Sequence, residues 1–202
     1  MSIQAQIDRI SDEVGNQSDL IERIKTALNG KAVGGGGDGS DKFDASLDGS
    51  LTEVNSDVSI VTTQACRELK NIITVNLPNA TSIGSYAFYQ CKGILDVNLP
   101  KANTISASAF YQCEAMKKLD CGQSPSFGSS SLAYCNALTT LIIRGTTKVA
   151  SLNSSAFSGV SNLKAYIYVP AALIEDYKTA ANWSTYASKF RAIEDYPEIC
   201  GG

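Results

Sequence analysis

Histidine is absent from all 202 residues of this chain, and its absence excludes several classes of function. The imidazole ring is the commonest general base, the usual activator of a serine or cysteine nucleophile, and the commonest metal ligand. No acid, base and nucleophile are grouped along the sequence in a way that could replace it. We therefore expect a protein that is not an enzyme, with no catalytic residue, no metal and no cofactor.

An excess of positive charge and a long apolar run are missing as well. Lysine and arginine number 17 against 20 aspartates and glutamates, so the net charge of −3 cannot neutralise a phosphate backbone. The longest apolar run, AYIYVPAALI, has ten residues and is interrupted by Pro170, whereas a membrane-spanning helix needs about 18. We expect neither nucleic-acid binding nor membrane insertion. The acidic, amphipathic N-terminus has no secretory signal pattern, so we also expect no Sec-dependent export.

Apolar residues recur at alternating spacings of four and three between residues 3 and 28, which is the heptad pattern of a coiled coil. β-branched side chains occupy both core positions, and this choice favours trimers or tetramers over dimers. The alternative is an amphipathic helix that packs on its own domain. We expect residues 1–30 to form a homotrimer through Ile3, Ile7, Ile10, Val14, Gln17, Ile21, Ile24 and Leu28.

Residues 31–42 are rich in glycine and lack apolar periodicity, so we expect a flexible linker there. From residue 61 onward the chain repeats itself every 22 residues. Five copies can be aligned, the last of them three residues late, and a fixed period of this length predicts a solenoid. The apolar positions that recur are, in one copy, Ile83, Ala87, Phe88, Cys91, Ile94, Val97 and Leu99.

Each copy ends in alternating apolar and polar residues, as in Leu95–Leu99, and two copies then continue with proline. This pattern predicts a short strand and its end. Stacked copies would pair these strands in parallel at about 4.8 Å per coil, with short turns or helices completing each coil. We expect an inner ladder of Phe88, Phe110, Leu132 and Phe157.

A solenoid coil cannot bury its own apolar side, so both ends of the array require caps. At the N-terminal end, Asp48 and Gly49 lie between two alternating segments, which predicts a hairpin. At the C-terminal end, AALIEDYKTAAN and WSTYASKFRAI have helical spacing. We expect residues 43–170 to form the solenoid with its hairpin cap, and residues 171–202 to form two short helices and a loose tail.

The repeats SIGSYAFYQCKGILDVNLPKA and TISASAFYQCEAMKKLDCGQ resemble the BspA-like class of leucine-rich repeats. The ending YIYVPAALIEDYKTAANWSTYASKFRAIEDYP is similar to the usual C-terminus of these proteins, and the resemblance spans roughly residues 45–170. The opening heptads are similar to the short coiled coils of phage and prophage structural proteins. The resemblance implies a recognition scaffold and no catalytic residue.

Six cysteines in a chain without an export signal are expected to be reduced. Cys91, Cys113 and Cys135 share one column of the solenoid, where neighbouring thiols could come within disulfide or metal-binding range. We interpret them, and Cys121, as small buried side chains that the repeat requires, because cysteine is among the most buried residue types. Cys200, in the tail, is the only thiol that we expect to be reactive.

Two surfaces of the solenoid should carry repeated polar or aromatic side chains. Strand alternation directs one set outward, Thr74, Asn76, Asp96, Asn98, Lys118 and Asp120, and this polarity ends at Ile142 and Ile167. The second set we call the tyrosine edge, and we favour it for ligand binding because tyrosine suits both proteins and glycans. The alternative is that both sets are ordinary solvated surface. The tyrosine edge consists of Tyr89, Gln90, Tyr111, Gln112 and Tyr134.

These features predict a non-enzymatic recognition or adhesion scaffold that displays leucine-rich-repeat heads on a coiled coil. Our first hypothesis is a tail or fibre-like protein of a phage or prophage virion, assembled in the bacterial cytoplasm. Its partners would be itself, a protein or glycan of the host surface, and other virion proteins. The alternative is a bacterial cell-surface adhesin of the BspA-like family, which would require an export signal or wall anchor.

Overall fold

The computed structural model describes residues 52–55, 58–160 and 163–201, and its strands pair in parallel into two sheets. The larger sheet takes one strand from each coil, as the repeat predicted. In every repeat the strand falls on the alternating segment, and its inward residues are buried. In spatial order the strands are β1 (Glu53–Asn55), β3 (Thr74–Asn76), β5 (Asp96–Leu99), β7 (Lys118–Cys121), β9 (Thr140–Ile143), β11 (Tyr166–Val169) and β12 (Phe190–Ala192).

A second, shorter sheet forms another side of the solenoid. Each of its strands has an outward first residue and an inward, buried second residue. Neighbouring coils approach closely here: a Cβ on Gly84 would lie 2.6 Å from main-chain atoms of Thr62 and Thr63, so no other residue fits. The strands are β2 (Ile60–Val61), β4 (Ser82–Ile83), β6 (Thr104–Ile105), β8 (Ser126–Phe127) and β10 (Ser151–Leu152).

The third side of each coil is a run of overlapping turns, one of the two options that the sequence left open. Every second amide in the run donates to a carbonyl of the next coil, and the amides between them bond three residues back within the turn. Main-chain hydrogen bonds therefore join the coils on this side as they do in the sheets. Examples between coils are Gln64 to Ser85 (2.9 Å), Cys66 to Ala87 (2.7 Å) and Glu68 to Tyr89 (2.7 Å).

The predicted inner ladder is confirmed. Phe88, Phe110 and Leu132 are fully buried, and Phe157 is 6% exposed. The rings of Phe88 and Phe110 stack with their centroids 5.2 Å apart and their planes 2° from parallel. Since the Phe88 ring packs on the ring of the next coil, the ladder joins neighbouring coils through their side chains.

The cysteine column is buried, as we predicted, and all six cysteines are free. Each thiol of the column donates to a main-chain carbonyl of the preceding coil: Cys91 to Cys66, Cys113 to Phe88, and Cys135 to Phe110, at 2.9, 3.2 and 3.1 Å. Burial raises the pKa of each of these thiols well above the ordinary range, so they remain protonated donors.

The N-terminal end begins with a parallel strand among the described residues. β1 pairs with β3, with Val54 opposite Val75, so the larger sheet continues one strand beyond the five aligned copies. The hairpin predicted at Asp48 and Gly49, the linker 31–42 and the coiled coil 1–30 lie outside the described residues.

The C-terminal cap contains a 3₁₀ turn at Ala171–Leu173, helix α1 (Ile174–Thr179) and a 3₁₀ segment at Ser184–Lys189. The prediction of a second helix is wrong at the C-terminal end of that helix, because Phe190 begins strand β12 and pairs opposite Ile167. Pairing with the open edge of the sheet decides this conformation, since it satisfies main-chain groups while it buries the Phe190 ring. No helix in the described residues is long and apolar enough to cross a membrane.

The segment after β12 is ordered against the solenoid, so the predicted loose tail is wrong. It forms a 3₁₀ turn at Ile193–Asp195 and helix α2 (Pro197–Cys200). Cys200 is only 2% exposed and packs in a small cluster with Ile142 and Tyr168. Burial raises the pKa of its thiol, and the expected reactive cysteine is therefore a protected one.

Candidate functional site

The tyrosine edge lies along the turn side of the solenoid, where a repeated backbone conformation positions it. Gln90, Gln112 and Tyr134 occupy equivalent left-handed positions, with φ of 58°, 56° and 61°. Tyr134 therefore belongs to the glutamine column and not to the column of Tyr89 and Tyr111. Because the Gln90 amide donates to the Tyr111 carbonyl at 2.8 Å, neighbouring coils are held in register and their side chains lie side by side.

The three tyrosines of this edge and Arg67 beside them form one continuous row. The rings of Tyr89 and Tyr111 stack at 4.9 Å with their planes 6° apart. Tyr134 meets Tyr111 edge-on at 5.3 Å, and the guanidinium group of Arg67 lies 5.0 Å from the centre of the Tyr89 ring. The sequence analysis did not identify Arg67, although it stands 22 residues before Tyr89 and could have been found from the repeat.

The row determines which atoms of the tyrosines a ligand can reach. The Tyr89 ring has Tyr111 stacked on it and the Arg67 guanidinium group over it, and the Tyr111 ring has one face against Tyr89 while Tyr134 meets it at a steep angle. Within the described residues, no group hydrogen-bonds the hydroxyls of Tyr89, Tyr111 and Tyr134. Burial, followed by the neighbouring phenols, raises the pKa of Tyr111, so its hydroxyl is protonated and can both donate and accept.

Glutamine and glycine complete the tyrosine edge. Gln90 Nε2 donates to Gln112 Oε1 at 2.6 Å, which holds the two amides in fixed orientations. At the end of the row the Tyr134 ring lies where a Cβ of Gly159 would be, and Gly159 has φ of 75°. Both observations require glycine at this position. The tyrosine edge is therefore a preorganised surface with little freedom left to lose on binding.

The outward face of the larger sheet is the second candidate surface, and part of it is open. Asn98 Nδ2 donates to Asn76 Oδ1 at 2.7 Å, forming an amide ladder between β3 and β5. Asn76, Asp96 and Asn98 are exposed. Asp120 was predicted to be exposed in the same column, but it is only 6% exposed because other groups cover it.

The predicted loss of polarity at Ile142 and Ile167 is half right. Ile142 is outward and lies opposite Asp120 of β7, but Ile167 lies opposite Leu141 and belongs to the inner core. The inward and outward positions of β11 are shifted by one residue from those that the repeat predicts. The outward residues of β11 are therefore Tyr166 and Tyr168. Arg191 lies 4.3 Å from the centre of the Tyr166 ring.

An ion pair that the sequence did not reveal covers this end of the sheet. Arg144 Nε and Nη2 donate to Asp120 Oδ1 and Oδ2 at 2.8 and 2.7 Å, and Nη2 also donates to the carbonyl of Cys200. The bond to Asp120 is the main cause that raises the pKa of Arg144 further. Lys118 Nζ donates to the carbonyl of Ile199 at 3.1 Å. These residues are 24 to 81 positions apart, and no short motif joins them.

Metal-ligating side chains do not converge in the part of the chain that the structure describes, which contains no group of three His, Cys, Asp or Glu able to hold an ion. The surfaces above offer aromatic rings, hydroxyls and amides, which are groups for apolar contact and hydrogen bonding. Their repeated geometry can present the same groups to an extended partner once per coil.

Comparison with known families and structures agrees with this architecture. Residues 59–181 match the BspA type leucine-rich repeat region in six copies. No curated protein matches the chain.

Two solved structures have a similar fold. A leucine-rich repeat protein of T. pallidum has a TM-score of 0.52 and 22% identity, over 61% of this chain and 60% of its own. A leucine-rich cell surface protein of Faecalibacterium prausnitzii A2-165 has a TM-score of 0.52 and 21% identity, over 65% of this chain and 33% of its own. The chain therefore spans less than two thirds of either structure.

Proposed function

Because the chain belongs to the BspA-type leucine-rich repeat family, we propose that it is a non-enzymatic recognition scaffold that binds a protein of a bacterial host surface through the tyrosine edge. The observation that carries this proposal is the continuous row of Arg67, Tyr89, Tyr111 and Tyr134. Tyrosine and arginine are enriched among the residues that dominate binding energy at protein interfaces. A row already held in place by stacking has little side-chain entropy to lose.

The covered ring faces favour a protein partner over a glycan. A sugar that stacks on an aromatic platform needs an open ring face, but the Tyr89 ring has Arg67 and Tyr111 against it and the Tyr111 ring has one face against Tyr89. Tyr86, whose ring lies 5.6 Å from that of Tyr89, and Tyr134, at the end of the row, are each 39% exposed and add apolar contact area. Hydroxyls next to ring edges suit main-chain carbonyls and amides, which every protein surface offers.

We further propose that residues 3–28 form a homotrimer that displays three heads together. Joining weak binding sites raises their combined affinity through a high effective concentration, provided that the linker lets them engage together. The resemblance of the heptads to phage and prophage structural proteins supports a virion as the location. The description of the F. prausnitzii relative as a cell surface protein supports the alternative, an adhesin on a bacterial surface.

Binding of the labelled full chain to intact host cells tests the role of the tyrosine edge. The triple substitution Tyr89→Phe, Tyr111→Phe and Tyr134→Phe keeps the stacked rings and removes only the hydroxyls, so we expect weaker binding with an unchanged melting temperature. A matched control, Thr104→Ala with Ser126→Ala and Ser151→Ala, alters outward residues of the shorter sheet and should bind like wild type. Equal binding by all three proteins would exclude the hydroxyl row and leave the amide face of β3 and β5 as the next candidate.

Pretreatment of the cells separates the partner classes. Protease treatment should abolish binding and periodate oxidation of glycans should not. The reverse result would replace the protein partner by a glycan. Antibody labelling of induced phage particles and of intact cells then decides between a virion protein and a cell-surface adhesin.

A further inference from the structure

The outward face of β9 and β11 differs from the outward face of the earlier strands. One outward column of the larger sheet is polar in four successive strands and then becomes apolar at Ile142 and Tyr168. Parallel sheets usually have both faces covered, so an apolar pair on an outer face is a place where another segment can pack. The polar members of the column are Asn55, Asn76, Asn98 and Asp120.

The chain covers this pair with its own last residues. Cys200 packs on Ile142 and Tyr168, and Ile193, Tyr196 and Ile199 lie against the same cluster. The rings of Tyr168 and Tyr196 meet edge-on at 5.4 Å. The contact is therefore a small apolar interface between helix α2 with its preceding turn and the outside of the sheet.

Two cations hold the end of helix α2. Lys118 Nζ donates to the Ile199 carbonyl and Arg144 Nη2 donates to the Cys200 carbonyl. Carbonyls in the last turn of a helix lack partners within the helix and carry partial negative charge, so cations stabilise them. Arg144 is held in position by its paired bonds to Asp120, and these bonds do not involve the tail.

We propose that the outward face of β9 and β11 is a docking site for a short helical peptide segment, and that residues 193–200 occupy it as a resident ligand. The site supplies an apolar pair, Ile142 and Tyr168, and two donors, Lys118 and Arg144. A segment that competes for it carries bulky apolar side chains on one face of a short helix and leaves its last carbonyls free. Such a segment on a partner protein would replace the tail.

Separation of the tail from the main core supports exchange. Ile142, Tyr168 and Cys200 form a cluster apart from the core that runs through all coils. The Phe88–Phe110 stack, the Asp120–Arg144 pair and the bond from the Trp183 indole to the Ala150 carbonyl do not involve residues 193–200. One exposed bond, from the Ala171 amide to Glu194 Oε2 at 3.0 Å, joins this segment to the cap. Segments with few buried contacts of their own open locally, at lower free energy than the whole fold.

A labelled synthetic peptide with the sequence IEDYPEICGG, residues 193–202, tests the proposal on the full chain under reducing conditions. The variant Tyr196→Asp with Ile199→Asp should undock the resident tail and bind the peptide at least tenfold more tightly than wild type does. The control Glu198→Gln changes an exposed side chain of the tail and should behave like wild type. Addition of Ile142→Asp to the undocked variant should abolish the gain.

Peptide affinity that does not rise in the folded, undocked variant would overturn the proposal, as would a gain that survives Ile142→Asp. Hydrogen exchange of the wild-type chain provides a second test that does not depend on the variants. The amides of Ile199, Cys200 and Gly201 should exchange through a local opening, much faster than the amides of β9 and β11. Equal opening free energies in the two regions would make the tail an inseparable part of the cap.

Discussion

The indole N–H of Trp183 donates a 2.6 Å hydrogen bond to the carbonyl of Ala150, and the amide of Ala150 donates to the hydroxyl of Tyr177 at 2.9 Å. Ala150 directly precedes β10, the last strand of the shorter sheet. In the described part of the chain β10 is the end strand of the shorter sheet, so main-chain groups on its outer side need partners from the cap. The aromatic cap therefore replaces the missing coil by satisfying both polar groups of one residue.

Loss of either capping bond should destabilise the protein. We expect Tyr177→Phe, which removes one hydroxyl, to lower the free energy of unfolding by about 1–3 kcal/mol because the Ala150 amide is left unsatisfied. Trp183→Phe should cost at least as much, since it also removes apolar contact area. Because the centroids of the two rings lie 5.5 Å apart, the loss of unfolding free energy in the double variant should differ from the sum of the two single losses. Urea unfolding followed by circular dichroism measures all three, and neutral single variants would contradict this account of the cap.

Removal of one buried hydroxyl should stabilise the chain. Ser131 is fully buried, and its Oγ has no hydrogen-bond partner among the residues that the structure describes. The neighbouring copies have Ala87 and Ala109 at the equivalent position. Ser131→Ala should raise the free energy of unfolding by about 1–3 kcal/mol, the cost of an unsatisfied buried polar group. Ser129→Ala, at an exposed position of the same turn, is the control and should change little. A lower urea midpoint for Ser131→Ala would show that the hydroxyl has a partner in solution.

The inner ladder should carry a large share of the stability. Phe110→Ala removes a fully buried ring that stacks on Phe88, so we expect a loss of about 3–5 kcal/mol. Cys113→Ser should cost less, because it keeps the volume but buries a hydroxyl with a shorter reach toward the Phe88 carbonyl. Lys117→Ala changes an exposed side chain and serves as control. Denaturant melts in which Phe110→Ala equals this control would refute the assigned core.

Alkaline pH should destabilise the fold. Burial raises the pKa of Cys66 and Cys135 from 9.0 to about 12, and that of Tyr177 from 10.0 to about 12. The folded state therefore retains protons that the unfolded chain releases. The contribution of these three groups to the free energy of unfolding is complete below about pH 8 and is lost as the pH rises toward 12. Between its ordinary pKa and its raised pKa, each group lowers the free energy of unfolding by about 1.4 kcal/mol per pH unit. Urea midpoints under reducing conditions at pH 7 to 10.5 measure the fall, which should be shallower in Cys66→Ala.

Oligomerisation should depend on the heptads. Light scattering of the full chain should give about three protomer masses, and deletion through Lys31 should give a folded monomer. Gln17→Ile should raise the thermal stability of the helix because it removes the one polar residue from the seam. A monomeric full chain in dilute solution would contradict the trimer.

Much of the architecture could be predicted because the same local sequence pattern recurs in each copy of the repeat. Alternation in Leu95–Leu99 was enough to place β5 at Asp96–Leu99, and the spacing of 22 residues placed Phe88 against Phe110. The shorter sheet was not predicted, because two residues per strand are too few for a periodic signal. The end of the cap was predicted as helix at Phe190, where pairing with β11 decides otherwise.

The candidate surfaces divide in the same way. The members of the tyrosine edge follow from the repeat, but their stacking does not, because Tyr134 reaches the row from the glutamine column. The site at Ile142 and Tyr168 could not be predicted, since Asp120, Arg144 and the tail are distant in the sequence.

The sequence by itself determined the solenoid, its inward ladder and the residues available on each side, because a coil bonds to its neighbours in a register set by the repeat length. Only the tertiary structure decided which outward residues remain accessible. Lys118, Asp120 and Ile142 all point away from the core by strand alternation, yet the folded-back tail contacts Lys118 and Ile142, and Arg144 pairs with Asp120. The physical reason is that burial on an outer face depends on which segment from elsewhere in the chain packs there. The local periodicity of the sequence does not predict such a contact.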